Sequence, residues 1–157
     1  MGSGLRAAGD SLLQIQDLTV TYSQRNGAPL RALENLSLSV ASGEVVGVLG
    51  ESGCGKSTLA NAIMGLLPAS GLIEEGRISL GDSSLLEMSE AQLCAIRGSK
   101  ISLMPQEPAL TLNPVMTAAA QLEEVLKAHL TLRRKDRKEL VSDLLRELGF
   151  EDPDQVA

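Results

Sequence analysis

The stretch Val45-Val46-Gly47-Val48-Leu49-Gly50-Glu51-Ser52-Gly53-Cys54-Gly55-Lys56-Ser57-Thr58 decides how this chain is read. Its first five residues are a continuous apolar run, the pattern of a strand covered on both faces in a parallel sheet. The next eight run glycine, four residues, glycine, lysine and serine, which is the phosphate-loop pattern, and Thr58 follows. Beyond them Leu59, Ala62, Ile63, Leu66 and Leu67 recur at helical spacing, and Pro68 is predicted to end that helix. At ordinary residue frequencies a chance match to the loop pattern in a chain of this size is on the order of one in a hundred. The order strand, loop, helix makes chance less credible still, and it sets the fold class as α/β of the P-loop kind.

The residue types suit polyphosphate. Gly50, Gly53 and Gly55 allow turns barred to residues with a Cβ and let backbone N–H groups approach phosphate oxygens. A helix opening near Gly55 adds a partial positive charge worth only about 0.3 to 2 kcal/mol. Micromolar binding needs about 8 kcal/mol, so charge-assisted hydrogen bonds of about 1.5 to 3 kcal/mol each must carry most of it. Lys56 is the residue to reach the β- and γ-phosphates, and the Ser57 hydroxyl is the ligand for Mg²⁺. The competing reading, a glycine-rich turn with a solvated lysine, gives no reason for Lys and Ser together at a helix start.

Upstream, Leu13 and Ile15 alternate on one phase and Leu18, Val20 and Tyr22 on the other, as in a strand with a phase slip near Asp17. A polar turn holding Asn26-Gly27 follows, and Leu36, Leu38 and Val40 resume period two before Ser42-Gly43. An antiparallel β unit therefore precedes the loop. Downstream, residues 77–80 and 101–104 read as short strands on either side of a helix over 89–97. Residues 115–130 carry Leu122, Val125, Leu126 and Leu130 on one helical face, and a last helix with Leu140, Val141, Leu144, Leu145 and Leu148 stops at Gly149.

Composition narrows the function classes. The 157 residues are 43% hydrophobic and 22% charged, enough for one ordinary domain with a core. Fourteen Lys and Arg against twenty Asp and Glu leave a formal charge of -6, which argues against general affinity for nucleic acid. With Tyr22 and Phe150 the only aromatic residues, base stacking along a single strand lacks its material as well. The run Arg133-Arg134-Lys135-Asp136-Arg137-Lys138 reads as a solvated helix face, because Asp136 and Glu139 interrupt it. Cys54 and Cys94 form no disulfide framework; Cys54 falls inside the loop and Cys94 reads as a small core residue. His129, the only histidine, cannot assemble a metal site by itself. No segment approaches the roughly 18 to 20 apolar residues of a membrane span, and residues 1–10, expected to be a flexible N-terminus, lack the apolar core of a secretory signal. The expected compartment is the cytoplasm.

From about Leu13 to Pro153 the sequence resembles the ATP-binding-cassette (ABC) transporter ATPases, and within them the oligopeptide, dipeptide and nickel importer branch. The resemblance is carried by residues 50–58, by Gly65-Leu66-Leu67-Pro68, by Ile96-Arg97-Gly98, and by Gln106-Glu107-Pro108 leading to Leu112-Asn113-Pro114. It implies that residues 11–157 form the N-terminal part of a nucleotide-binding domain with an antiparallel β subdomain in front. ATP and Mg²⁺ are the implied ligands. The implied ATP-binding residues are Tyr22, stacking on adenine, and Gly50, Ser52, Gly53, Cys54, Gly55, Lys56, Ser57 and Thr58. Gln106 matches the Q-loop glutamine, which with Ser57 attends Mg²⁺ and water and relays nucleotide state to the membrane subunits; a neutral amide can accept on one side and donate on the other. The implied partners are a second ABC ATPase subunit, transmembrane permeases and, indirectly, an extracytoplasmic solute-binding protein, with no nucleic acid, and the implied site of action is the inner face of the plasma membrane. Two departures stand out: Pro105 occupies a position where this branch has an aromatic, and Gly81-Asp82 reverses the usual order in its turn.

Hydrolysis needs a carboxylate at the end of a buried strand to assist Mg²⁺. After Ser57 no run of four apolar residues ends in Asp or Glu, and neither the Leu-Ser-Gly-Gly-Gln signature nor the switch histidine occurs. The chain is therefore expected to be truncated or part of a longer domain, and to bind ATP without turning it over. Two rivals remain at this level: a nucleotide-binding remnant without transport activity, and a soluble P-loop kinase or GTPase, for which no Asn-Lys-x-Asp motif is found.

Overall fold

The computed structural model describes residues 11–25, 27–107 and 111–150. The segment 1–10, Asn26 of the expected turn and Pro108 of the Gln106 motif lie outside the described residues. The chain divides into two compact units, Met1–Cys94 and Ala95–Ala157.

The first unit is built on strands β1 (Ser11–Tyr22), β2 (Leu30–Ala41), β3 (Gly71–Leu80) and β4 (Ser83–Ser84), all antiparallel in the order β2-β1-β3-β4. The phase slip expected near Asp17 is a bulge. Asp17 takes a φ of 49°, the register against β2 shifts between Ile15 and Leu18, and Ile15, Leu18 and Val20 are all buried. An extra residue in one strand lets both sequence phases face the same core. Opposite the bulge, Asn35 also has positive φ, and its amide donates to Thr19 Oγ1 at 3.2 Å, while the Asp17 amide donates to Ser37 Oγ at 2.9 Å. Gly76 of β3 receives the bulge from the other side. A Cβ there would lie 2.6 Å from Leu18 Cα and 2.7 Å from the Gln16 carbonyl oxygen, so no other residue fits without moving β1.

Helix α1 (Lys56–Met64) places Leu59, Ala62 and Met64 in the core and ends at Gly65 in the left-handed conformation. The helix therefore stops three residues ahead of Pro68, the expected terminator, because a left-handed glycine cap already ends it. Gly81, also left-handed at φ 55°, makes the turn between β3 and β4, and its amide donates to the Leu12 carbonyl at 2.8 Å. A single 3-10 turn (Leu85–Glu87) leads to α2 (Glu90–Ile96), which opens on a reciprocal cap between Ser89 and Gln92: the Ser89 amide donates to Gln92 Oε1 at 2.8 Å and the Gln92 amide to Ser89 Oγ.

Two expected strands are not formed. Val45–Leu49 carries no ladder, and Val45 and Leu49 are 97% and 96% exposed. Its apolar pattern suits a strand between parallel neighbours, and among the described residues no strand pairs with it; without a ladder partner an extended apolar run has nothing to bond. Residues 101–104 are reduced to one parallel bridge between Arg97 and Ile101, with Met104 exposed. Cys94, expected in the core, is exposed on α2, the buried face being taken by Leu93.

The second unit holds α3 (Ala118–His129) and α4 (Arg134–Glu147). Ala119, Val141 and Leu145 form its core with Leu122 and Leu126 packed against it. Thr117 caps α3 by accepting from the Ala120 amide, which sets the start of the helix at Ala118, three residues inside the expected 115–130. Gln121 anchors the preceding loop: its Oε1 accepts from the Asn113 amide at 2.9 Å and its Nε2 donates to the Asn113 and Met116 carbonyls. The basic run is a solvated face, with Arg137 turned back to donate to the Leu132 carbonyl.

Candidate functional site: the loop 50–58 and its surroundings

The loop bends twice through left-handed glycines, Gly53 at φ 83° and Gly55 at φ 96°, and Gly55 is also the N-cap residue of α1. Gly55 sits against β2. A Cβ on it would lie 2.6 Å from the Ala32 carbonyl oxygen and 2.8 Å from Leu33 Cδ2, so glycine is required by conformation and by contact together. Gly50 does not share that conformation; its space is limited instead by Cys54 Sγ, 2.6 Å from where a Cβ would stand. A turn is closed by the Cys54 amide donating to the Glu51 carbonyl at 3.3 Å.

The first intrahelical bond of α1 runs from the Leu59 amide to the Gly55 carbonyl at 2.9 Å. The amides of Lys56, Ser57 and Thr58 precede it and belong to the turn whose N–H groups have no carbonyl four residues back. No acidic residue stands in that first turn and no side chain caps it, so its partial positive charge is left for an external anion. Ser52, Gly53, Cys54 and Ser57 are exposed, and Gly55 and Lys56 half-buried. The Lys56 ammonium curls over the loop, donating to the Gly50 and Glu51 carbonyls at 2.7 Å each and to Cys54 Sγ at 3.3 Å. Its partners are neutral, so the positive charge stays available. Left-handed glycines, an uncapped first turn and an unneutralised lysine are the donor set a polyphosphate requires, and the Ser57 hydroxyl is an oxygen ligand of the type Mg²⁺ takes.

Tyr22, the last residue of β1, is half-buried, and its hydroxyl lies 3.2 Å from Thr58 Oγ1 in α1. The first unit thus brings Tyr22 together with the start of α1. This pairing had no signal in the sequence, since 36 residues separate the two. Gln106 belongs to the second unit, where it is an exposed residue at a bend, with Pro105 half-buried before it. In the first unit a cleft of about 480 Å³ runs between the end of α1, β3 and the 3-10 turn, with Leu72, Leu86 and Glu75 among its walls.

A protein-family model described as "ABC transporter" matches residues 33–157. This chain belongs to the ABC transporter family. Its similarity to curated ABC proteins extends over most of its length: 37% identity over 147 residues to the oligopeptide transport ATP-binding protein AppD of Bacillus subtilis (strain 168), covering 93% of this chain and 44% of AppD. It is 35% identical over 143 residues to the dipeptide transport ATP-binding protein DppD of Escherichia coli (strain K12), covering 91% and 43%. Among solved structures, the ATP-binding cassette MJ0796, described as a dimeric post-hydrolysis state bound to ADP and Pi, superposes with a TM-score of 0.74 at 26% identity, covering 89% of this chain and 58% of that one. The chain thus spans less than half the length of these two curated relatives. The fold class holds: a P-loop ABC ATPase fold with an antiparallel β subdomain, which sets aside a soluble kinase or GTPase. Among the described residues no helix is long and apolar enough to cross a membrane.

Proposed function

We propose that this chain is the nucleotide-binding portion of an ABC importer ATPase that takes MgATP at the loop 50–58. The observation that carries the reading is the uncapped start of α1 beneath an ammonium held only by neutral partners. Backbone groups of Gly50, Ser52, Gly53, Cys54 and Gly55, with the first-turn amides of Lys56, Ser57 and Thr58, line the phosphate site. Lys56 binds the β- and γ-phosphates, the Ser57 hydroxyl holds Mg²⁺, and the exposed part of the Tyr22 ring takes the adenine. Gln106 is assigned to Mg²⁺ and the attacking water on its motif alone. Bound Mg²⁺ would supply charge neutralisation across the phosphates.

In a full-length ABC ATPase these residues serve uptake. Two nucleotide-binding subunits associate, act on transmembrane permeases at the inner face of the plasma membrane, and depend indirectly on a solute-binding protein outside it. The solute is a short peptide, with nickel second; the names of the similar proteins favour peptides. On its own this chain binds without hydrolysing, because no apolar strand ending in an acidic residue follows Ser57 in its sequence.

Titration of the isotopically labelled 157-residue chain with MgATP, followed by amide chemical shifts, tests the reading. The largest shifts are expected at residues 50–58 and at Tyr22. Saturable shifts confined to other residues would overturn it.

A further inference from the structure

Tyr22 is the only tyrosine in a chain without tryptophan, and its ring is fixed at two places. Its hydroxyl meets Thr58 Oγ1 at 3.2 Å. Its edge rests on Gly71, where a Cβ would come within 2.9 Å of Tyr22 Cε1. The glycine is held in turn, because Gly71 pairs with Tyr22 across β3 and β1 and its amide donates to the Pro68 carbonyl at 2.7 Å. An aromatic ring has two side-chain torsions, and these contacts constrain both.

Thr58 is buried and follows Lys56 and Ser57 directly in the first turn of α1. A hydroxyl bond to this residue refers the ring to the phosphate loop and not only to the sheet on which Tyr22 sits. Phenylalanine would fill the same space and offer the same face to a base without that reference. A hydroxyl at the tip of an aromatic commonly finds a partner when buried; here the partner lies one residue beyond the proposed Mg²⁺ ligand.

We propose that the Tyr22–Thr58 hydroxyl pair is a positioning device that locks the ring relative to the loop and so couples recognition of the base to recognition of the phosphates. The proposal rests on the nucleotide-binding reading above. It makes the hydroxyl, as distinct from the aromatic face, a determinant of preference for a nucleoside triphosphate over bare polyphosphate.

The test is calorimetric titration of the whole chain with ATP and, separately, with inorganic tripolyphosphate, both with Mg²⁺. The chains are wild type, Tyr22→Phe, Thr58→Val, Thr58→Ser and the Tyr22→Phe/Thr58→Val double variant. Losing one side-chain hydrogen bond is expected to lower the ratio of ATP to tripolyphosphate affinity about three- to tenfold in each of Tyr22→Phe and Thr58→Val. The double variant should be no worse than either single one, since both remove the same bond, and Thr58→Ser should keep the wild-type ratio. The near-ultraviolet circular dichroism of the lone tyrosine gives a readout without ligand, weakened in Thr58→Val and retained in Thr58→Ser. A ratio unchanged in both single variants, additive losses in the double, or Thr58→Ser behaving as Thr58→Val would overturn the pairing while leaving nucleotide binding intact. Failure of the wild-type chain to bind either ligand would instead overturn the nucleotide reading, and the coupling with it.

Discussion

The Lys56 ammonium lies 2.7 Å from the carbonyl oxygen of Gly50, six residues earlier, so the cation of the loop is held by the residue that opens it. A second carbonyl, that of Glu51, stands at the same distance. Two carbonyls and a thiol suit a compact ammonium with rotatable donors; a planar guanidinium presents its donors in a fixed fork and is longer. Lys56→Arg keeps the charge but is expected to lose about tenfold or more in affinity for MgATP, measured by calorimetry. Wild-type affinity in that variant would mean that charge alone matters and that the carbonyl seat does not.

Gly55 separates two costs that other glycines confound. It has φ 96° and a Cβ there would strike the Ala32 carbonyl at 2.6 Å, whereas Gly43 has φ 73° with open space around it. Gly43→Ala should cost only the left-handed penalty, about 1 to 2 kcal/mol. Gly55→Ala adds displacement of the loop from β2 and should cost about 3 kcal/mol or more in urea unfolding. Equal costs in the two variants would show that the loop does not rest on β2.

The exposed run at 45–49 predicts a contrast in hydrogen exchange. Its amides carry no ladder, while those of β1 are bonded to strands on both sides. Amides of Val45, Val46 and Val48 should exchange at rates near those of an unstructured peptide, and that of Val20 far more slowly. Protection at 45–49 equal to that at Val20 would contradict the arrangement described.

The same stretch shows what a sequence can and cannot disclose. Alternation in 13–22 carried its own irregularity, so the slip at Asp17 was legible as a change of phase. The loop was legible because its chemistry requires fixed residue types at fixed spacing. Val45–Leu49 misled because apolar pattern records which faces a strand is suited to bury, not whether neighbours stand beside it. Cys94 misled for a related reason: a small residue on a short helix takes whichever face its larger neighbours leave, and Leu93 took the inner one. The Tyr22–Thr58 contact was invisible because it depends on where β1 ends relative to α1, a tertiary fact with no local trace.

The chain alone should release phosphate from MgATP no faster than its Lys56→Ala variant in a coupled assay, because no carboxylate at the end of an apolar strand is available after Ser57. Sustained hydrolysis above that control would require a catalytic acid in a place the sequence does not suggest.

The central claim is that the loop 50–58 holds a polyphosphate through Lys56 and the first-turn amides of α1. Calorimetric titration of wild type and Lys56→Ala with MgATP tests it most directly. Micromolar or tighter binding to wild type, reduced about thirtyfold or beyond detection in the variant, is the predicted result. Affinity in the variant within about threefold of wild type would contradict the claim.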